Sequence, residues 1–302
     1  MKKKYIYILS QRYSGSTLLS FLLGTHPGIS TIGERRKFYN KSIRPKVDEI
    51  QTCSCGQKFI DCEYWSAIRD RLLKRVQESE LKTNATEFRF FNDRKKHIIA
   101  DKLYQTAVLN GLPKSLQPFS NKMDKMLEVN RILTEEILDL DGNTAFLDSS
   151  KIIDQALYLS LIEEFDFYVI WLSRDPRAQV NSAVKYHQWS ISDATERWKS
   201  EMKNNARILD GQKINYTHLR YEDLCREPEK EMQRILDFCG LQTDKFSLDF
   251  RSQTQHIMGN GYMRLGKDSK IEERKDWQKK LSREDIKLIE KLTVDYQNYY
   301  SV

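Results

Sequence analysis

The sequence predicts an α/β fold in three layers, with a central, mostly parallel sheet covered by helices on both faces. Three observations carry that expectation. Tyr5 to Ser10 is a β-branched and aromatic run, followed by the small-residue turn Tyr13-Ser14-Gly15-Ser16-Thr17 and the apolar segment Leu18 to Leu23. A second unit of the same kind begins at Phe167-Tyr168-Val169-Ile170-Trp171-Leu172 and passes through Ser173-Arg174 into a helix. The shorter runs Thr144 to Leu147 and Ile214 to Leu219 read as further strands. Strands alternating with helices require a sheet buried on both faces.

Composition narrows the class. With only 12 Gly, 6 Pro and 5 Cys in 302 residues, and 39% hydrophobic residues, the chain is neither collagen-like, disordered nor a small disulfide scaffold. Its length suits one α/β domain over residues 1–302 that carries an insertion. No apolar stretch reaches the roughly 18 residues that span a bilayer. Met1-Lys2-Lys3-Lys4 imitates the start of a signal peptide, but the apolar run after it meets Ser10, Gln11 and Arg12 without a cleavage site, so the expected location is cytoplasmic. The net charge of +7 favours phosphate-bearing ligands, yet an ordinary solvated surface carries as much, and it does not by itself imply nucleic acid.

Taken in order, the first helix ends at Gly24 and Pro27. From about Asp61 to Leu140 the pattern is helical and basic, broken near Gly111-Leu112-Pro113 and Gln117-Pro118, which predicts a helical insertion over the sheet. The helix after Arg174 has Asp175 as its cap and Pro176 at its first position. Ser282, followed three residues later by Asp285, predicts a capped last helix that runs to about Tyr296.

Chemistry concentrates at the first turn. A short turn between a buried strand and a helix aims several backbone N–H groups and the positive helix end at one point, where phosphate binds. Tyr13 to Thr17 has that form. It lacks the Lys and second Gly of the ATPase turn and is not a dinucleotide fingerprint, which argues against a Walker-type NTPase. In the second unit, Arg174 ends a buried strand, and Ser182 lies about two helical turns on, so the two can hold one further phosphate. Taken alone, each feature reads first as a plain polar turn, or as an arginine capping the sheet edge with a serine on a helix face.

Together these residues resemble the PAPS-dependent sulfotransferases, which transfer a sulfuryl group from 3′-phosphoadenosine 5′-phosphosulfate to an acceptor. Tyr13-Ser14-Gly15-Ser16-Thr17-Leu18-Leu19 is similar to the family's 5′-phosphosulfate loop, and His26-Pro27 with Gly33-Glu34 to the segment after its first helix. Arg174 with Ser182 resembles the 3′-phosphate motif, and Tyr221-Glu222-Asp223-Leu224 a later stretch. Asp148-Ser149-Ser150-Lys151, and His256 with Gly259-Asn260 and Arg264, resemble segments of the bacterial and tyrosylprotein branches. The resemblance implies a P-loop NTPase-like three-layer fold, PAPS as co-substrate, a hydroxyl or amine acceptor and no metal. One position departs: the family's basic residue before the Ser/Thr-Gly pair is Tyr13 here, with Arg12 one residue earlier. Either Arg12 swings in, or backbone N–H groups and Lys151 carry that charge.

Sulfuryl transfer requires two partners in line, removal of the acceptor's proton and neutralisation of the leaving phosphate. Glu34 is the candidate base, needing a pKa raised toward neutrality; its alternative is a surface pairing with Arg35, Arg36 or Lys37. Lys151 is the candidate for stabilising the transferring group. Ser14, Gly15, Ser16, Thr17 and Leu18 form the expected cradle for the 5′ phosphate. Tyr221 is expected near the adenine, and Arg264 is expected to close over the nucleotide from a mobile segment. The competing readings are a nucleotide or small-molecule kinase, which the missing turn lysine disfavours, and a non-catalytic nucleotide-binding module. Neither the insertion nor the segment from Tyr186 to Trp198 has a motif that separates sugar, lipid, small metabolite or peptide tyrosine as acceptor.

Cys53-x-Cys55-Gly56 and Cys62-Glu63-Tyr64-Trp65 form a compact thiol cluster, whereas Cys225 and Cys239 read as buried small hydrophobes. A structural zinc site needs four ligands, and no histidine lies near these three in sequence, so no metal is expected.

Overall fold

The computed structural model describes residues 2–38, 52–88, 94–212 and 214–300. Five strands form one sheet: β1 (Lys3–Ser10), β2 (Ile29–Gly33), β3 (Ala145–Lys151), β4 (Phe165–Ser173) and β5 (Tyr216–Arg220). Their order is β2-β3-β1-β4-β5, and all four pairings are parallel.

Alternation along the central strand divides the core. Tyr5, Tyr7 and Leu9 enter one apolar cluster, with Phe146, Val169 and Trp171 of the neighbouring strands. Ile6 and Ile8 point the other way, into a second cluster with Leu147, Ile170 and Leu172. Successive side chains of a strand face opposite sides, so a strand that is apolar at every position needs cover on both. Helices α1 (Ser16–Leu23), α8 (Tyr221–Arg226) and α9 (Pro228–Phe238) cover the second side. Helices α2 (Glu63–Gln77), α4 (Ser120–Asp141), α5 (Ile153–Leu159) and α7 (Ile191–Gly211) contribute to the first.

The expected three-layer α/β arrangement is therefore the observed one, and the four anticipated strands are present. β2 is an addition. Ser30 and Thr31 interrupt its apolar pattern, but its five residues are buried, and their polar atoms are satisfied across the sheet: Thr31 Oγ1 donates to the Leu147 carbonyl at 2.9 Å, and Ser30 Oγ accepts from Asn143 Nδ2 at 3.2 Å. Burial here comes from the neighbouring strand and not from a pattern that β2 carries itself.

Residues 61–140 hold α2, α3 (Arg94–Leu109) and most of α4, with the break between α3 and α4 over 110–119. Residues 89–93 of that expected insertion lie outside the described residues. Helix α6 (Pro176–His187) starts as anticipated, with the Asp175 carboxylate accepting from the Arg177 backbone N–H at 2.8 Å and Pro176 at the first position. Helix α12 (Arg283–Thr293) has the Ser282–Asp285 capping box and passes into a 3-10 turn over Val294–Tyr299. Between α9 and α12 lie two short helices, α10 (Gly261–Leu265) and α11 (Trp277–Lys280). Cys239 is buried, as expected, whereas Cys225 is only half-buried. Among the described residues no helix is long and apolar enough to cross a membrane.

Candidate active site

In a parallel sheet every strand ends on the same edge, and ligands bind in the crevice beyond those carboxyl ends. Here that edge collects the Tyr13–Thr17 turn after β1, Glu34 after β2, Lys151 closing β3 and Arg174 after β4. The register makes them neighbours: Leu9 lies beside Lys151, Gly33 beside Asp148 and Ser10 beside Leu172.

The turn after β1 is tight because Tyr13 (φ +64°) and Gly15 (φ +91°) both take left-handed backbone conformations. Gly15 has a second reason to lack a side chain, since a Cβ would stand 2.4 Å from the Tyr221 ring. Tyr221 thus packs flat against the turn, with its hydroxyl donating to the Glu272 carbonyl at 3.0 Å. The Arg174 guanidinium lies over the same ring, 4.4 Å from its centroid, and donates to the Tyr13 carbonyl at 2.8 Å and to the Arg274 carbonyl at 3.0 Å. Ser16 and Thr17 open α1, and the first N–H groups of a helix have no partner within it. Leu18 buries its side chain in the core, so what it offers a ligand is its backbone N–H. Thr17 Oγ1 is engaged by the Asn260 backbone N–H at 3.1 Å.

Several buried polar atoms along this edge lack a hydrogen-bond partner: Ser14 Oγ, Arg174 Nε and Arg264 Nε among them. Buried polar groups are paired in nearly all folded proteins, so orphans that cluster at a helix start fit a polar ligand.

Glu34 departs from expectation. It is 3% exposed, so the surface pairing does not apply, and its partners are Lys151 Nζ at 2.8 Å, Lys37 Nζ at 3.0 Å and an Arg36 guanidinium nitrogen at 3.2 Å. Burial alone would push its carboxyl up, but Lys151, Lys37 and Arg36 outweigh it and hold the pKa at about 2. The rise toward neutrality that a base here requires is reversed, because the cations come from both its own 3-10 turn and the end of β3. Lys151 is drawn below the usual lysine range by burial, with the Glu34 charge opposing that shift. The net worth of the pair is accordingly smaller than the Glu34 shift taken alone.

A depressed carboxyl stabilises the fold above its unfolded pKa, near 4.5 here, and loses that contribution as pH falls through about 2. Thermal melts from pH 6 down to pH 2 should therefore show wild type losing stability over the lower part of this range. Glu34→Gln should start lower and flatten. Parallel curves for the two proteins would refute the ionised Glu34.

Lys151 has φ +76°, a conformation that costs a side-chain-bearing residue about 1–2 kcal/mol. The Tyr7 hydroxyl holds the chain there by donating to the Ile152 carbonyl at 2.9 Å and accepting its N–H at 3.0 Å. Below it, Asp148 is fully buried and accepts from Arg35 Nε at 2.9 Å, Tyr5 OH at 3.0 Å and the Ser150 backbone N–H at 2.8 Å. Arg35 thus braces the site from beneath and does not pair with Glu34.

The remaining anticipated residues are placed as follows. Arg12 is exposed and sits 3.2 Å from His187 Nε2, which Tyr13 OH also meets at 3.0 Å. Ser182 lies on α6 and donates to the Ala178 carbonyl at 3.0 Å. Arg264, in α10, is 6% exposed, with its guanidinium over the Phe59 ring. His256 joins the thiols, which the sequence spacing does not signal: its Nδ1 lies 3.4 Å from Cys62 Sγ and 3.6 Å from Cys53 Sγ. The thiol cluster is therefore not one ligand short, since a segment far along the chain supplies the fourth donor.

Among solved structures, the sulfotransferase domain of the olefin synthase from Synechococcus PCC 7002 is similar at 21% identity, covering 97% of this chain and 96% of that one, with a TM-score of 0.48. The sulfotransferase domain from the curacin biosynthetic pathway is similar at 16% identity, with 96% and 98% covered and a TM-score of 0.47. A sulfotransferase from Mycobacterium tuberculosis H37Rv shares 15% identity over 82% of this chain and 73% of its own, with a TM-score of 0.43. No curated protein sequence matches the chain. The sulfotransferase family model matches residues 6–245, most of the sequence, and the chain belongs to that family.

Proposed function

We propose that the protein transfers a sulfuryl group from 3′-phosphoadenosine 5′-phosphosulfate to a hydroxyl or amine acceptor. The observation that carries this reading is the convergence, on one sheet edge, of a helix-start phosphate turn, an arginine aimed at that turn and a buried carboxylate–lysine pair. In this reading the N–H groups of Gly15 to Leu18 and the hydroxyls of Ser14, Ser16 and Thr17 hold the 5′ phosphate. Arg174 and Ser182 take the 3′ phosphate, and Tyr221 and Arg264 flank the nucleotide. The absence of a turn lysine disfavours the kinase alternative.

Glu34 is the base and Lys151 its partner in turn. While Lys151 holds Glu34, the carboxylate is too weak a base to act. When a phosphosulfate oxygen draws the ammonium away, one of the cations that lower the Glu34 pKa is gone, and the carboxylate gains affinity for the acceptor's proton. As the acceptor oxygen bonds to sulfur, the bridging S–O bond breaks, its electron pair leaves on the 5′ phosphate, and the proton goes to Glu34. Lys151 then neutralises the departing charge.

The donor is tested by thermal stability with 3′,5′-adenosine bisphosphate beside ATP with Mg²⁺ and 5′-AMP, on wild type and Arg174→Ala. A ligand at about 100 times its Kd stabilises by about 2.7 kcal/mol. Only the bisphosphate is expected to raise the wild-type midpoint, and Arg174→Ala is expected to lose most of that rise relative to its own unliganded midpoint. A larger shift with ATP and Mg²⁺, or none with any nucleotide, would overturn the reading.

A further inference from the structure

Two features singled out in the sequence have no part in the proposed transfer: the Cys53-x-Cys55-Gly56 and Cys62-Glu63-Tyr64-Trp65 stretch, and His256. In the fold they meet. The Sγ atoms of Cys53, Cys55 and Cys62 and a ring nitrogen of His256 all lie within 4.8 Å of one another. We infer that these four residues, three thiolates and one imidazole, form a structural zinc site that fastens the 255–260 segment to the edge of the sheet.

Three of the six ligand–ligand distances match the edges of an occupied tetrahedron. With Zn–S bonds of about 2.3 Å and Zn–N of about 2.0 Å, tetrahedral geometry sets sulfur–sulfur edges near about 3.8 Å and sulfur–nitrogen edges near about 3.5 Å. The structure has 3.7 Å between the Cys55 and Cys62 sulfurs, and 3.4 and 3.6 Å from His256 Nδ1 to Cys62 and Cys53. A sulfur separation of 3.7 Å is far beyond the S–S bond of about 2.05 Å, so the thiols are not a disulfide. Three thiolates and one imidazole form a closed, soft donor set with no position left for water, which selects zinc and a structural role.

The surroundings are those of a metal shell. The Cys53 N–H bonds to the Gln57 carbonyl at 2.7 Å, and Gly56, at φ +92°, turns the chain between the ligands and returns its N–H to the Cys53 carbonyl at 3.0 Å. Cys62 sits at the start of α2. The Trp65 indole N–H donates to Cys53 Sγ at 3.2 Å, which suits a sulfur that carries charge. Tyr64 stacks on the His256 ring, centroids 4.4 Å apart and planes 13° from parallel, and so fixes its orientation. Ser54, between two ligands, clasps the facing 255–257 segment: its hydroxyl accepts from the Ile257 N–H at 2.7 Å and donates to the Gln255 carbonyl. Binding releases the thiol protons to solvent and leaves a site with one net negative charge.

What the metal would hold is the segment that packs on the transfer site. Two residues after His256, Met258 exchanges backbone hydrogen bonds with Ile32 at 2.8 Å and Glu34 at 3.0 Å, and Gly259 follows, pressed so closely on Thr17 that a Cβ would stand 2.7 Å from its hydroxyl. Fixing His256 therefore fixes the backbone that abuts both Glu34 and the phosphate turn.

Metal content tests this directly and does not depend on the donor reading. Protein grown with added zinc, kept reduced and exchanged against a weak chelator should hold about one zinc per chain by plasma mass spectrometry. Replacement by Co²⁺ should give the thiolate charge-transfer band and the tetrahedral d–d bands of a metal held by three sulfurs and one nitrogen. His256→Ala and, at a half-buried position, Cys55→Ser should lose the metal, and His256→Cys should keep it. A strong chelator should lower the wild-type midpoint and leave that of His256→Ala unmoved. Wild-type protein that stays metal-free after incubation with zinc, that holds iron instead, or whose zinc survives His256→Ala would overturn the inference. Zinc binding with no bisphosphate response would instead remove the donor reading and leave this site standing.

Discussion

Asp148→Ala is expected to destabilise the protein by about 3–5 kcal/mol, the cost of leaving one partner of a buried ion pair uncompensated. The carboxylate is fully buried, and its main partner, Arg35, is 3% exposed, so water cannot take over the lost interaction. Arg35 also donates to Asn130 and, at 3.0 Å, to Gln155, and lies over the Phe88 ring, which anchors it where it is and keeps it from turning to solvent. Tyr5 OH and the Ser150 N–H would lose their acceptor as well. Urea unfolding of Asp148→Ala against wild type gives the number. The double variant Arg35→Met/Asp148→Leu should recover much of the loss, because an apolar pair of similar volume avoids the desolvation cost altogether. A loss below about 1 kcal/mol in the single variant, the range of an exposed pair, would show that the interaction is solvated.

Glu34→Gln is expected to lower kcat by about 10²- to 10⁴-fold, the usual contribution of a positioned base, with little change in affinity for 3′,5′-adenosine bisphosphate. The substitution keeps size and hydrogen-bonding reach, so an effect confined to kcat separates proton transfer from packing. It is measured with labelled donor on an acceptor found by screening sugars, lipids, small metabolites and tyrosine peptides. Lys151→Met should act differently. It removes one of the cations that lower the Glu34 pKa and should move the acid limb of the kcat/KM profile, which reports the free enzyme, to higher pH, besides slowing the reaction. An unchanged profile in Lys151→Met would break the proposed exchange of partners, and a Glu34→Gln enzyme within about fivefold of wild type, about 1 kcal/mol in barrier, would remove Glu34 as the base.

Much of this was legible in order along the chain. Strands that must be buried on both faces announce themselves as unbroken apolar runs, and β1 and β4 did so. The turn at Gly15, the Asp175 cap and the Ser282–Asp285 box are local devices whose chemistry lies within a few residues. Arg174 was placed because a residue that ends a parallel strand faces the ligand edge wherever the strand lies in the sheet.

Charge state and ligation were not legible, because both depend on groups that are distant in sequence. Glu34 reads as a free carboxylate beside three basic residues, and only the pairing of β2 with β3 brings Lys151 to it and turns Arg35 away to Asp148. The three cysteines read as one ligand short until the 255–260 segment crosses the end of the sheet and delivers His256. The sequence by itself determined the local conformations and the α/β class, which follow from short-range sterics and burial periodicity. Tertiary structure decided which charges and which ligands share a space, since Coulomb energy and coordination depend on distances that no spacing along the chain sets.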